Sequence, residues 1–329
     1  MNSRRNFLKN SIFGTAALMS APVVSLAGIK EEHNEMLSTT EAADFKPLRV
    51  SVLSYSFHGL LGAGMMDLFH FFETCKYRYH LETADLWSGM FASTEDDYIK
   101  KVHSALEDRQ LKVPNIACDG CHILASGDDN PAKMKAVQDR YMQIAKQIGA
   151  GFVRFDAGPY DDGRGATAPW TNQEFDFLVK RYRELAQFAH DNGFRVGAES
   201  HWGPERYWPN MEKLIKAVDH PGFAICVHIS GWAGTPEEVD FADKASAPYT
   251  AHTHFAWNIC EGPLVEKMLN LKNANYPGYY SVEQHSGHNE YNLVAAQLAK
   301  VTAVLTSWNR GGSGELYEPE EKQNKSVPW

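Results

Sequence analysis

The sequence predicts an α/β protein built as a (β/α)8 barrel, and three observations predict it. Strand-like and helix-like segments alternate with little interruption from residue 48 onward, which implies a parallel sheet. The alternation runs to eight units in about 280 residues with no second domain, the usual size of one closed barrel. Four short apolar segments in the second half each carry one potential metal ligand, at intervals of 29, 26 and 29 residues, about the length of one strand-plus-helix unit. An open doubly wound sheet is the competing architecture. The glycines of SFHGLLGAG, after the first strand, lack the G-x-G-x-x-G spacing that a phosphate turn would need there.

The elements follow in order. LRVSVLSYSF (48–57) reads as the first strand, MMDLFHFFETCKY as a helix, and HLETADLW (80–87) as the second strand. Helix DDYIKKVHSALEDRQ leads to strand KVPNIACDG, and helix PAKMKAVQDRYMQIAKQIG to strand GFVRFDAG. NQEFDFLVKRYRELAQFAHDNG is a long helix with Gly193 placed as its C-cap, and FRVGAES is the fifth strand. NMEKLIKAVDH precedes strand FAICVHIS, PEEVDFADKA precedes TAHTHFAW, and LVEKMLNLKN precedes GYYSVEQ. YNLVAAQLAKVTAVLTSW is the closing helix, so the barrel is expected over 47–309, with 310–329 as a C-terminal extension.

Ahead of the barrel, Ser3-Arg4-Arg5-Asn6-Phe7-Leu8-Lys9 and the apolar run from Ile12 to Leu26 resemble a twin-arginine (Tat) export signal. The small residues Ser25 and Ala27 suit cleavage after Ala27, which assigns 1–27 to the signal and the polar segment 28–46 to a linker. That implies a periplasmic or otherwise exported protein. About fifteen apolar residues are too few for a membrane span. A net charge of −9 argues against nucleic acid or anionic membrane as partner. Five cysteines, an odd count in a long chain, do not make a disulfide framework.

The four ligand candidates are Glu199 in FRVGAESHW, His228 in FAICVHISGW, His254 in YTAHTHFAW and Glu283 in GYYSVEQHS. On successive strands of a barrel they converge at its C-terminal face, and two carboxylates with two imidazoles describe a divalent metal site. Such a metal polarises substrate oxygens, while a glutamate beside it removes a proton from the adjacent carbon to give an enediolate that the metal stabilises. Returning the proton elsewhere is isomerisation or epimerisation; expelling a β-substituent is elimination. His252 shares a strand face with His254 and is either a ligand in its place or a supporting partner. Arg154 and Asp156 end strand four, His201 and His285 lie two residues beyond each glutamate, and Glu82 and Asp85 end strand two; each is a candidate for substrate hydroxyls or a structural pair. Trp87, Trp202, Trp232 and Trp257, at or just beyond strand ends, suit either a sugar ring or rim packing. Cys118-Asp119-Gly120-Cys121-His122 matches the c-type haem pattern literally, but at the end of a barrel strand it reads better as a thiol pair or a pocket-wall histidine.

By the order and spacing of these strands the chain resembles the xylose isomerase-like TIM barrels, specifically the sugar (phosphate) isomerase/epimerase family that includes ketose 3-epimerases. The resemblance implies metal ligands Glu, Asp, His and Glu on strands five to eight, the two glutamates doubling as the acid/base pair. Glu199, His254 and Glu283 match the first, third and fourth. His228 stands where the family has Asp, and Gly231 where it has a downstream His. The lost negative charge favours Mn, Co, Fe or Zn over Mg. The expectation is an exported, metal-dependent sugar isomerase/epimerase acting on a non-phosphorylated carbohydrate, with Glu199 and Glu283 catalytic and Arg154, His201, His285 and Trp257 binding substrate. A lyase or hydratase cleaving keto-glycosides and a non-catalytic sugar-binding barrel are the alternatives; a homo-oligomer is compatible with either.

Overall fold

The structure, a computed structural model, describes residues 47–125, 130–159 and 163–316. The expected signal and linker, 1–46, and residues 317–329 of the expected extension lie outside them. Eight parallel strands line the barrel: β1 (Val50–Val52), β2 (Leu86–Trp87), β3 (Ile116–Cys118), β4 (Phe152–Phe155), β5 (Arg195–Gly197), β6 (Ile225–His228), β7 (Thr250–Phe255) and β8 (Tyr280–Val282). They form two four-stranded sheets, ordered β2-β3-β4-β5 and β1-β8-β7-β6. Single bridges sew the two seams: Leu53 to Asp85 between β1 and β2, and Val196 to Phe223 with Glu199 to Cys226 between β5 and β6.

Around the strands run α1 (His58–Gly62), α2 (Leu68–Glu73), α3 (Asp96–Asp108), α4 (Pro131–Ile148), α5 (Asn172–Asp191), α6 (Trp208–Val218), α7 (Pro236–Ser246), α8 (Trp257–Glu261), α9 (Leu264–Asn273) and α10 (Glu290–Asn309). Local chemistry starts and stops them. Thr171 with Glu174 and Thr235 with Glu238 form reciprocal capping boxes before α5 and α7, and Asn130 caps α4 ahead of Pro131. Asn192 caps α5 and Gly193 follows it at φ 79°, so the glycine predicted as the cap sits one residue beyond it. The apolar faces of these helices pack against the outer faces of the strands, where Val52, Leu86, Ile116, Phe155, Val196 and Val282 are fully buried. No helix among the described residues is long and apolar enough to cross a membrane.

Two differences from the sequence expectation shape the mouth. The first strand ends at Val52, and Ser54–Phe57 form a 3-10 turn that brings Tyr55 and His58 over the C-terminal face. In β7 the register against β6 shifts by one residue between Ile225 and Cys226, leaving Ala251 extra. Beyond that bulge His228 lies directly across from His254, and His254 across from Ser281 of β8.

Candidate active site

The strands deliver the four predicted ligands to one place at the C-terminal face. Glu199 lies two residues past β5, held by its bridge to Cys226; His228 ends β6, His254 is next to last in β7, and Glu283 follows β8 directly. His254 Nδ1 is 2.7 Å from Glu199 Oε1 and 3.6 Å from Glu283 Oε2, which in turn is 3.9 Å from His228 Nδ1. The side chains of Glu199, His254 and Glu283 are buried, and His228 is partly so. Cys226, absent from the sequence expectation as a site residue, adds a buried thiol 3.7 Å from His254 Nδ1.

Electrostatics hold the carboxylates ionised. Burial opposes the charge on Glu199, but His254, Arg154 and His201 together bring its carboxyl well below the usual range. Burial likewise opposes ionisation of Glu283, and His254, His285 and His228 overcome it, setting it at about 2. His254 is pushed the other way: burial disfavours its charge, yet Cys226, Glu199, Glu283 and Asp85 raise it well above the ordinary imidazole value. For His228 burial wins and lowers it to about 4, so at neutral pH it is an uncharged imidazole with a lone pair to give.

This donor set fits a divalent cation. Ligand atoms of Glu199, Cys226 and His254, and those of His228, Glu283 and His285, lie within 4.8 Å of one another in two sets that the 3.6 Å contact of His254 with Glu283 joins, and buried Glu199 Oε2 has no hydrogen-bond partner, although Arg154 Nε lies 2.9 Å away out of line. The site would not accept the resembled family's histidine at 231. A Cβ on Gly231 would lie 2.9 Å from the His228 carbonyl oxygen, 3.0 Å from that of Ser200 and 3.1 Å from the His228 Cβ.

A second polar group borders the first. Buried Arg154, on β4, reaches Asp119 Oδ1 and Asp156 Oδ2, both at 2.7 Å, besides Glu199. Asp156 also receives His201 Nδ1 at 3.3 Å and lies 3.9 Å from His122 Nδ1. Burial disfavours charge on His201, but Asp156 outweighs it and raises the imidazole above its ordinary value. Glu205, unpredicted, is fully buried and accepts the Ala157 N–H at 2.5 Å; burial and the neighbouring Asp156 push it well above the usual carboxyl range. Asp119, one residue past β3, follows the same strand-end rule as the predicted ligands and was legible on that ground. Glu205, in the 3-10 turn Gly203–Arg206 beyond β5, carried no sequence signal.

Aromatic and imidazole rings line the mouth. His285 lies parallel to His228 with centroids 5.5 Å apart, its Nε2 3.4 Å from Glu283 Oε1. Tyr55 stacks on His58 at 4.5 Å and meets Trp87 edge-on at 5.1 Å; Trp87 Nε1–H donates to Asp119 at 2.6 Å. Trp202 packs on His201. Trp257 is half-buried and opens α8 just beyond β7, which is all that ties it to the mouth. Trp232 takes the packing role: it is buried, stacks edge-on with Trp208 and donates to Asp243. Glu82 is exposed and stands apart from the cluster, whereas Asp85 is fully buried beneath it. Cys118 and Cys121 are free, buried thiols, and burial pushes Cys118 well up; neither is presented for attachment, while His122 of the same motif does face Asp156.

Comparison with known proteins agrees with this architecture. No curated protein matches the sequence. Among solved structures, a xylose isomerase-like TIM barrel protein from Mycobacterium smegmatis in complex with magnesium superposes with a TM-score of 0.61 at 16% identity, covering 79% of this chain and 97% of that one. The apo form of 3-keto-D-glucoside 4-epimerase from E. coli gives 0.63 at 14% identity, over 78% and 99% of the two chains. A probable 3-DHS dehydratase from Bacillus anthracis gives 0.59 at 16%, over 78% and 99%. At such identities the likeness is one of fold. The profile of one family matches residues 69–303, most of the barrel and of its ligand-bearing strands, and the chain therefore belongs to the xylose isomerase-like TIM barrel family.

Proposed function

We propose that this chain is an exported, divalent-metal-dependent enzyme that moves a proton at the carbon beside a carbonyl of a non-phosphorylated sugar, an isomerase or epimerase reaction. The observation that carries the reading is the pair of buried, ionised glutamates, Glu199 and Glu283, facing one imidazole at 2.7 and 3.6 Å. A divalent cation held by Glu199, His228, His254 and Glu283 would polarise the substrate carbonyl and make the neighbouring C–H more acidic. His228 as a neutral donor favours Mn, Co, Fe or Zn in that place. Glu283 is the better-placed base, since its Oε1 faces His285 toward the mouth while Glu199 is enclosed by Arg154 and His254. His201 and His285 then offer hydrogen bonds to sugar hydroxyls, and Tyr55, Trp87 and Trp202 offer ring faces. Arg154 is matched by three carboxylates, which leaves it no net charge for a phosphate.

A lyase reading is kept because of His201, which Asp156 orients beside His228, where it can protonate a departing oxygen. Of the similar structures named above, one is a probable dehydratase and one a 3-keto-D-glucoside 4-epimerase. Metal analysis and incubation in deuterated water with free keto-sugars and 3-keto-glycosides test the proposal. Stoichiometric metal and solvent label in uncleaved sugar are expected, aglycone release would select the lyase, and a chain without metal whose behaviour is unchanged in Glu199→Gln would be a sugar-binding barrel. Export is checked by cell fractionation and N-terminal sequencing, with a mature end after Ala27 expected and Arg4→Lys/Arg5→Lys retained inside.

A further inference from the structure

We propose that Asp85 is a positioning residue for the His254 imidazole, accepting its Nε2–H and so holding the tautomer that turns the Nδ1 lone pair toward Glu199 and Glu283. The inference rests on the metal-dependent reading above. Asp85 directly precedes β2, on the half of the barrel opposite β7, and is fully buried. Three donors from three directions fix its carboxylate: His252 Nε2–H and Ser281 Oγ–H at 2.6 Å on Oδ2, and Asn115 Nδ2–H at 2.9 Å on Oδ1. So firm an anchorage leaves the carboxylate little freedom to turn away.

His254 lies between this anchor and the ligand cluster. Its Nδ1 faces Glu199 at 2.7 Å and Glu283 at 3.6 Å, while its Nε2 lies 3.6 Å from Asp85 Oδ2 and is buried without any hydrogen-bond partner. That separation is an ion-pair distance, longer than a hydrogen bond, in an arrangement where Glu199 draws the Nδ1–H the other way. A ligating imidazole has given up one ring proton and keeps the other, and in this interior Asp85 is the acceptor within reach of Nε2–H. A carboxylate behind a ligating histidine fixes ring orientation and raises its basicity. The edge-to-face packing of His252 on His254, centroids 5.1 Å apart, stops the ring from swinging out of line.

The test compares Co2+ and Zn2+ binding by calorimetry, and the visible absorption of the Co2+ form, in the full chain and its isosteric Asp85→Asn variant. The amide keeps the shape but is a neutral and weaker acceptor than the carboxylate, so the expected result is a loss of about 10- to 100-fold in affinity together with a changed Co2+ spectrum. A folded Asp85→Asn protein that binds as tightly as the parent, with the same spectrum, overturns the proposal. Should that variant not fold, 15N resonances of His254 in the parent decide. A protonated Nε2 in the metal-loaded protein supports the role, and an unprotonated one overturns it. Absence of metal binding by the parent would remove the metal reading and this inference with it, whereas tight parent binding with an indifferent variant removes this inference alone.

Discussion

At the residue scale, His228 is the side chain that separates this site from the pattern its family resemblance implies. Burial keeps it neutral, and Gly231 leaves no room for a histidine beside it, so the two departures occur together in one turn. His228→Asp should therefore raise affinity for Mg2+ relative to Zn2+ by about tenfold or more, read by calorimetry with both ions, because a hard carboxylate replaces a borderline imidazole. The same titrations give the apo-protein an acid-sensitive stability. Unfolded, His228 takes its proton near its ordinary 6.5, but in the fold only near 4, so stability falls as pH drops through that window. Glu283 is ionised in the fold down to about 2 against an ordinary 4.5, so its contribution is complete above 4.5 and is lost as pH falls toward 2. Thermal midpoints of chelator-treated protein should fall in two stages on acidification, with His228→Asn removing the upper stage and Glu283→Gln the lower.

At the scale of elements, the alternation of strand and helix was legible because helix starts carry caps and helix faces carry apolar periodicity, both local properties. Strand lengths were not. LRVSVLSYSF reads as one strand, yet after Val52 the chain turns, with Ser56 N–H bonding the Leu53 carbonyl, and HLETADLW yields only Leu86–Trp87, with Thr83 and Asp85 making single bridges ahead of it. The ligand candidates Glu199, His228, His254 and Glu283 could be picked out for a different reason: each follows a run of apolar residues at a strand's C-terminal end. The Asp85–His252–Ser281 anchor was not, because it joins residues up to 196 positions apart through packing alone. Nor was the bulge at Ala251, which the 29, 26 and 29 spacings do not reveal although it sets His228 opposite His254. Close approach also governs Gly197 at the end of β5, where any Cβ would overlap the Ala224 carbonyl oxygen of the neighbouring chain segment. Gly197→Ala should cost about 2 kcal/mol or more in urea unfolding, because backbone rather than a flexible side chain would have to yield.

For the whole molecule, the proposed metal binding would be coupled to folding. A divalent ion that binds only the folded chain stabilises it by about 2.7 kcal/mol at a hundredfold excess over its Kd. For a domain of this size that corresponds to a rise of about 5–10 °C in Tm, to be reversed by chelator and absent in Glu199→Gln. The seams show where such a stabilisation acts. Each sheet is continuous within itself, and among the described residues the strands of the two pair across the seams only through isolated bridges. Glu199 belongs to one half and His228, His254 and Glu283 to the other; Asp85 likewise stands on the first half while His252 and Ser281 stand on the second. On the proposed reading the ligand candidates would also be the barrel's clasp, so that a chain stripped of a bound ion should open first along these two lines, with Cys226 and Ala224 amides, which bond Ala198 and Val196 across the seam, exchanging with solvent before those at the centre of either sheet.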